Sequence, residues 1–307
     1  MLEAAGHEVA VSSHNRILTP DELLSLTQGA DAVLTQLTDK VTREVLVAWK
    51  PTVKIVANYA VGYDNIDVLA AKELGIAVSN TPGIALVNET VAEHAIALML
   101  ALAHRVVEGN AYMRSGKYVG WEPELLLGDN LSGSVLGILG LGRIGARVAH
   151  HAVRGFNMKA VYYDVIRNEK FEKEMGAEFW ATPEEVLQES DFISIHVPLL
   201  PATHHLVNAE RLRLMKPTAY LINTSRGSVI DEHALAEALR DKVIRGAAID
   251  VFENEPALDP ILKDLDNVIV TPHIASATEE VRHQMGEVAA KNIIAVLAGS
   301  PAPNAVG

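Results

Sequence analysis

The segment that most restricts the fold of this chain is Val135-Leu-Gly-Ile-Leu-Gly140-Leu-Gly142-Arg143-Ile144-Gly145. An apolar, strand-like run enters Gly140, and a pattern of helical period (Ile144, Val148, Ala149, Ala152) follows Gly145. A second strand-like run, Ala160–Tyr163, ends on Asp164, 19 residues beyond Gly145. A lone GxGxxG is weak evidence, but strand, glycines, helix, strand and acid in this order form a far more specific signature of dinucleotide binding. Gly140 permits the tight turn, Gly142 leaves room for a pyrophosphate, and Gly145 lets helix and strand approach. The helix N-terminus turns unpaired N–H groups toward the phosphates. Asp164 can accept hydrogen bonds from ribose hydroxyls and would repel a 2′-phosphate, which favours NAD over NADP, although Arg167 is near enough in sequence to hold such a phosphate. A bare strand–helix turn would explain the glycines but not the joint pattern.

Similar alternation runs along most of the chain. Strand-like runs are Ala32–Thr35, Val53–Ala57, Val135–Leu139, Ala160–Tyr163, Phe192–His196, Ala219–Ile222, Ala247–Val251 and Val268–Val270, with helical patterns such as Ile144–Arg154 and Glu232–Asp241 between them. This order predicts an α/β fold of right-handed β–α–β units with parallel sheets. Asn88–Lys117 reads as one long helix capped by Asn88, apolar on almost every side between Val91 and Leu102, and therefore buried between domains or subunits. A last helix is expected over about 278–297.

Composition removes several function classes. The formal charge of −13 repels a polyanion, so nucleic acid is not an expected partner. The absence of cysteine excludes disulfides, thiolate catalysis and Cys-ligated zinc. The longest apolar run, Ala95–Ala103, is nine residues, against the roughly 20 of a membrane span. Met1–Ser13 lacks the basic and apolar regions of a signal peptide, which makes the cytoplasm the expected compartment, with no membrane partner.

Three strand ends carry reactive side chains: Asn223-Thr-Ser-Arg226-Gly227, Phe252-Glu-Asn-Glu255-Pro256 and Thr271-Pro-His273. In a parallel sheet the carboxyl ends share one edge, where ligands bind. Arg226 offers a rigid donor fork for a carboxylate and ketone, His273 an acid effective near neutral pH, and Glu255 a carboxylate to orient it. Taken singly, each reads as a surface or loop residue; their joint appearance after the glycine loop points to reduction of a small 2-keto acid.

The segments GILGLGRIG, INTSRG, AAIDVFENEP and VTPHIAS resemble the signature blocks of the D-isomer-specific 2-hydroxyacid dehydrogenases, in that family's order and over nearly the whole chain. The resemblance implies that Arg226 binds substrate, His273 is the general acid/base and Glu255 its partner. It implies cofactor contacts from Gly140, Gly142, Arg143, Ile144, Gly145, Asp164, Val91, Thr224, His273 and the His196-Val197-Pro198 turn. Asp250 would contact the nicotinamide carboxamide, with a cap or loop role as the alternative. It further implies two doubly wound domains: a Rossmann NAD-binding domain over 81–275, inserted in a flavodoxin-like substrate domain formed by 1–80 and 276–307, with hinge closure excluding water from the active site. A homodimer is expected.

Within that family Ala60, Val61 and Gly62 match the substrate loop, where backbone N–H groups grip the carboxylate; a strand with a simple Gly turn is the plainer alternative. Asn58 stands where phosphoglycerate dehydrogenases carry Arg, and Pro272 where formate dehydrogenases carry Gln, which disfavours both branches. The wording around NYAVGYDNID, Gly120-Trp121-Glu-Pro123 and Leu127-Gly128 is closest to glyoxylate and hydroxypyruvate reductases, in some of which a Trp matching Trp121 reaches the partner's active site. An ordinary core or interface Trp is the alternative. Rival readings are a D-lactate- or phosphite-type dehydrogenase and a corepressor-like NADH-binding protein. One departure is visible: Met1-Leu-Glu-Ala-Ala reads as the interior of the family's first helix, so the strand before that helix is expected to be missing, whether through a late start site, truncation or genuine variation.

Overall fold

The computed structural model describes residues 1–82 and 84–307. The chain divides into two compact units, one of Met1–Ala85 with Thr278–Gly307 and one of Leu86–Ala277.

In the first unit, helices α1 (Pro20–Leu26), α2 (Arg43–Trp49) and α3 (Val68–Leu74) alternate with strands β1 (Ala32–Thr35), β2 (Ile55–Asn58) and β3 (Ala77–Ser79). The strands form a parallel sheet in the order β1-β2-β3. Period-two alternation sends Val33, Val56 and Val78 to one face, against Leu46 and Trp49 of α2 and Ala70 and Ala71 of α3. Ile55 and Ala57 turn to the other face, where Ile293 of the helix Glu279–Leu297 covers them. Local chemistry sets the helix starts: Thr19 and Glu22 make a reciprocal capping box with Pro20 in the first turn, and Asp67 caps α3. Near the amino end, Glu3–Ala5 form a single 3₁₀ turn. Residues 7–13 alternate like a strand but form none, leaving Val11 86% exposed, and β1 remains an edge strand.

The second unit begins with α4 (Ala85–Ala103) and α5 (Val106–Arg114). The single long helix expected over 88–117 is thus two, and Asn88 lies inside α4 instead of capping it. The break has a tertiary cause. The N–H of Asp129 donates to the carbonyl of Ala103 (2.8 Å), and a Cβ on Gly128 would stand 2.1 Å from that oxygen. Arg105 follows in the left-handed region at φ 51°. By length and composition α4 is apolar enough to cross a membrane, but Ala92, Ala95, Met99 and Ala103 are buried in the core of the fold.

Strands β4 (Val135–Leu139), β5 (Lys159–Tyr163), β6 (Glu178–Phe179), β7 (Phe192–Ile195), β8 (Tyr220–Asn223), β9 (Gly246–Ile249) and β10 (Val268–Val270) then build a seven-stranded sheet. It is parallel throughout, in the order β10-β9-β8-β7-β4-β5-β6. Helices α6 (Arg143–Phe156), α7 (Glu169–Met175), α8 (Pro183–Glu189), α9 (Ala209–Leu212) and α10 (Glu232–Arg240) connect these strands. Leu136, Ile138 and Ile222 point into a core shared with α4 and α6, while Ile193, Ile195 and Leu221 point into one shared with α8 and α10. Burial on both faces explains why these strands read as continuous apolar runs. The strands β3 and β6, three and two residues long, are too short to stand out as strand-like runs in the sequence.

Candidate active site

Strand order reverses between β4 and β7, and such a reversal opens a crevice beyond the carboxyl ends of the strands. The glycine loop leaves β4 there and His196-Val197-Pro198 leaves β7. The two loops touch: Gly140, at φ 96°, lies so close that a Cβ would come 2.8 Å from the nitrogen of Val197. A Cβ on Gly145 would lie 2.2 Å from the carbonyl oxygen of Gly140, which accounts for the third glycine. Gly142 differs, because a Cβ there would meet nothing within 4 Å, and as the N-cap of α6 it supplies no side chain to the helix N–H groups. This open, donor-rich end suits a pyrophosphate. Arg143 is exposed and Ile144 half-buried at the same helix start, whereas Val91 is buried in α4.

Asp164, at the end of β5, accepts the N–H of Leu141 at 2.7 Å and so ties the second strand to the glycine loop. Arg167 is already committed, with Nε and a terminal nitrogen on the two oxygens of Glu172 (2.9 and 2.7 Å). His196 Nε2 lies 2.8 Å from the Ser194 hydroxyl, and burial pushes the ring down to about 3, so it stays neutral over the working range. Beyond β8, the buried Thr224 hydroxyl has no hydrogen-bond partner among the described residues, an orphaned polar group that a ligand would satisfy. These features together fit a dinucleotide.

The catalytic candidates meet along the same sheet edge. Asn223 shapes the turn after β8: its Oδ1 accepts from the N–H (3.0 Å) and hydroxyl (2.8 Å) of Ser225, and its Nδ2 donates to the carbonyl of Arg226. Gly227 then lies flat on the next loop, where a Cβ would fall 1.9 Å from the carbonyl carbon of Phe252. That close approach brings the Arg226 segment against the segment carrying Glu255. His273 takes the left-handed region at φ 53°, held by its N–H to the carbonyls of Asp250 (2.9 Å) and Thr271 (3.0 Å). Its Nδ1 lies 3.0 and 3.2 Å from the two Glu255 oxygens. Burial raises the pKa of Glu255, but the hydrogen bond and charge of His273, the Phe252 N–H and the charge of Arg226 outweigh it, and the net shift is downward. An ionised carboxylate on Nδ1 fixes the ring and leaves Nε2 to exchange a proton with a ligand.

Asp250 is tied into the loop that carries His273. Its side chain is fully buried and accepts from the Thr271 hydroxyl (2.6 Å) and the N–H groups of Ile274 (2.9 Å) and Ala275 (2.8 Å), with His94 Nε2 3.6 Å away. Three donors bind this carboxylate, so Asp250 anchors the His273 loop. Sequence reasoning missed Glu232, on the first turn of α10 and only 8% exposed. Its two oxygens accept the N–H groups of Glu253 (2.7 Å) and Asp259 (2.8 Å), clamping both ends of the loop that carries Glu255. Glu232→Gln should turn one acceptor into a donor facing a buried N–H. The expected cost is about 1–3 kcal/mol in urea unfolding, with a lower kcat; unchanged stability would refute the clamp.

Within the first unit, Asn58 is buried and donates to the carbonyl of Gly62 (2.8 Å), while Asn80 donates to that of Val61 (2.6 Å). Ala60 is buried, with its carbonyl accepting from the Thr81 N–H (2.8 Å). Among the described residues the N–H groups of Val61 and Gly62 donate no hydrogen bond. A loop with tethered carbonyls and available donors suits an anion.

The family model of the D-isomer specific 2-hydroxyacid dehydrogenase NAD binding domain matches residues 96–275, which span the glycine loop and every catalytic candidate. The chain belongs to the D-isomer-specific 2-hydroxyacid dehydrogenase family. It is an oxidoreductase acting on CH–OH donors with a nicotinamide dinucleotide. Among its relatives, a glyoxylate reductase of Korarchaeum cryptofilum is 50% identical over 287 residues, covering 92% of this chain and 85% of that protein. A crystal structure of a Thermus thermophilus protein superposes with a TM-score of 0.92 at 43% identity, covering 100% of this chain and 95% of that one. An NADPH-dependent glyoxylate/hydroxypyruvate reductase of Sinorhizobium meliloti, solved with NADP and malonate, gives a TM-score of 0.82 at 32% identity, covering 95% of this chain and 86% of that one.

Proposed function

We propose that this dehydrogenase reduces glyoxylate or hydroxypyruvate with NADH, yielding the D-configured hydroxy acid where the product is chiral. The observation that carries the reading is the Glu255–His273 pair, with the Arg226 charge acting on the same carboxylate, on the sheet edge that bears the glycine loop. The names of the similar relatives support the substrate class. The bound nicotinamide supplies the hydride for the carbonyl carbon. Arg226 holds the substrate carboxylate and polarises the ketone, His273 Nε2 delivers the proton to the oxygen, and Glu255 stabilises the charged imidazole.

NAD is preferred over NADP in this reading, because Asp164 follows β5 beside the glycine loop and Arg167 is engaged by Glu172. The glycine loop, Thr224 and the turn after β7 hold the cofactor. The first unit is the substrate domain, supported by the available N–H groups of Val61 and Gly62. Initial rates with glyoxylate, hydroxypyruvate, pyruvate and no substrate, each with NADH and with NADPH, test this. The expected maximum is glyoxylate or hydroxypyruvate with NADH; tight NADH binding without turnover of any 2-keto acid would overturn it in favour of a binding protein.

The working form in this proposal is a cytoplasmic homodimer. Val106, Val107, Met113, Val119, Trp121 and Leu127 are all large, apolar and exposed within one short stretch, with Trp121 at 82%. A run of that kind marks an association surface. Sedimentation should give twice 33.1 kDa, and Trp121→Ala should weaken the dimer and alter substrate preference. A monomeric wild type would exclude this.

A further inference from the structure

We propose that His204, His205 and Glu253 form a binding site for a divalent cation of the zinc type, separate from the Glu255–His273 pair. Neighbouring side chains on an extended chain point to opposite sides. His205, however, sits in the left-handed region at φ 49°, which folds the two rings together with centroids 4.0 Å apart and planes at 30°. The third donor arrives from a distant loop: Glu253 Oε1 lies 2.7 Å from His205 Nε2. One ligand atom from each of the three residues lies within 4.8 Å of the other two. Tetrahedral zinc, with bonds of about 2.0–2.2 Å, separates its ligand atoms by roughly 3.3–3.5 Å. Small rotations therefore suffice, opening the His205–Glu253 pair and swinging the exposed His204 inward.

The supporting backbone is fixed before any ion binds. The N–H of His205 donates to the carbonyl of Ser228 (2.8 Å), and the N–H of Glu253 to the buried Glu232 (2.7 Å). A site whose ligands are held by their own hydrogen bonds loses little freedom on binding. Two imidazoles and one carboxylate select a borderline cation over magnesium or calcium, which prefer all-oxygen shells. Three protein ligands leave a fourth position for water, as in exchangeable zinc sites. Because Ser228 follows Arg226 by two residues and Glu253 precedes Glu255 by two, the ion would brace both catalytic segments from behind.

The test is calorimetric titration of the tag-free, metal-stripped full chain with zinc chloride at pH 7.5, and again at pH 5.5. The wild type should bind one zinc per chain, more weakly at the lower pH because the imidazoles must be neutral. His204→Asn, at an exposed position outside the catalytic set, should weaken that event by at least about tenfold while leaving glyoxylate turnover without metal unchanged. Glu253→Gln should weaken binding likewise. Cobalt should give the strong visible bands of a tetrahedral site in the wild type alone. The chain has twelve histidines, so zinc bound equally well by wild type and His204→Asn would place the ion elsewhere and overturn the proposal, as would no binding at all.

Discussion

His273→Gln lowers kcat for keto-acid reduction by about 10²–10⁴-fold, the usual contribution of a positioned general acid, with KM and NADH affinity little changed. The expectation rests on geometry. Two backbone hydrogen bonds hold His273 at a φ of 53°, and the Glu255 carboxylate takes Nδ1, so the ring can present only Nε2 to a ligand. Glutamine retains a polar end there but has no proton to give. Stopped-flow rates with saturating glyoxylate, beside NADH fluorescence titration, separate loss of chemistry from loss of binding. A variant within about threefold of wild-type kcat would end the acid assignment.

The pH profile follows from the pair. The pKa of Glu255 lies below the usual carboxylate range, so its negative charge is present beside His273 Nδ1 through the neutral region. Reduction consumes a proton and oxidation of the hydroxy acid releases one, so falling pH displaces the equilibrium toward the hydroxy acid. Glu255→Gln removes that charge at every pH and should lower kcat for reduction. For folding the sign is that of a depressed carboxylate: its stabilisation is present above the unfolded pKa and is lost as pH falls through the folded one.

What the sequence made legible was local chemistry at strand ends. Gly140, Gly142 and Gly145, the acid ending β5, and Arg226, Glu255 and His273 each belong to a short motif whose meaning depends on neighbours within a few positions. The parallel sheet supplied the rest, since carboxyl ends share an edge whatever the loops between them do. Features set by distant partners were illegible. The end of α4 depends on the N–H of Asp129, 26 residues beyond Ala103, so an uninterrupted apolar period ran straight through the break. The anchoring role of Asp250 was illegible because its three donors come from a loop more than twenty residues later. Glu232 read as a first-turn helix acid, and only the fold shows its oxygens on the N–H groups of Glu253 and Asp259. Strands as short as β6 carry too little periodicity to separate from a loop.

Arg226→Ala should act differently from His273→Gln, raising KM for the keto acid and cutting kcat/KM by roughly 10²–10³-fold. Removing one member of a buried, hydrogen-bonded charge contact costs about 2–5 kcal/mol, and part of that falls on substrate binding as well as on the transition state. The turn that carries the guanidinium is held from several sides. Asn223 grips the carbonyl of Arg226, the neighbouring glycine presses the turn against Phe252, and one terminal nitrogen donates to the carbonyl of Ser225 at 2.8 Å. Arg226→Lys keeps the charge but loses the planar fork, so it should recover only part of the loss. Gly227→Ala should imitate the alanine variant without touching the charge, because its Cβ has no room beside the Phe252 carbonyl and must displace the turn. If both Arg226→Ala and Gly227→Ala retained wild-type KM and kcat/KM, the substrate carboxylate would have to be held by other groups, and Arg226 would be a loop residue with no part in the reaction.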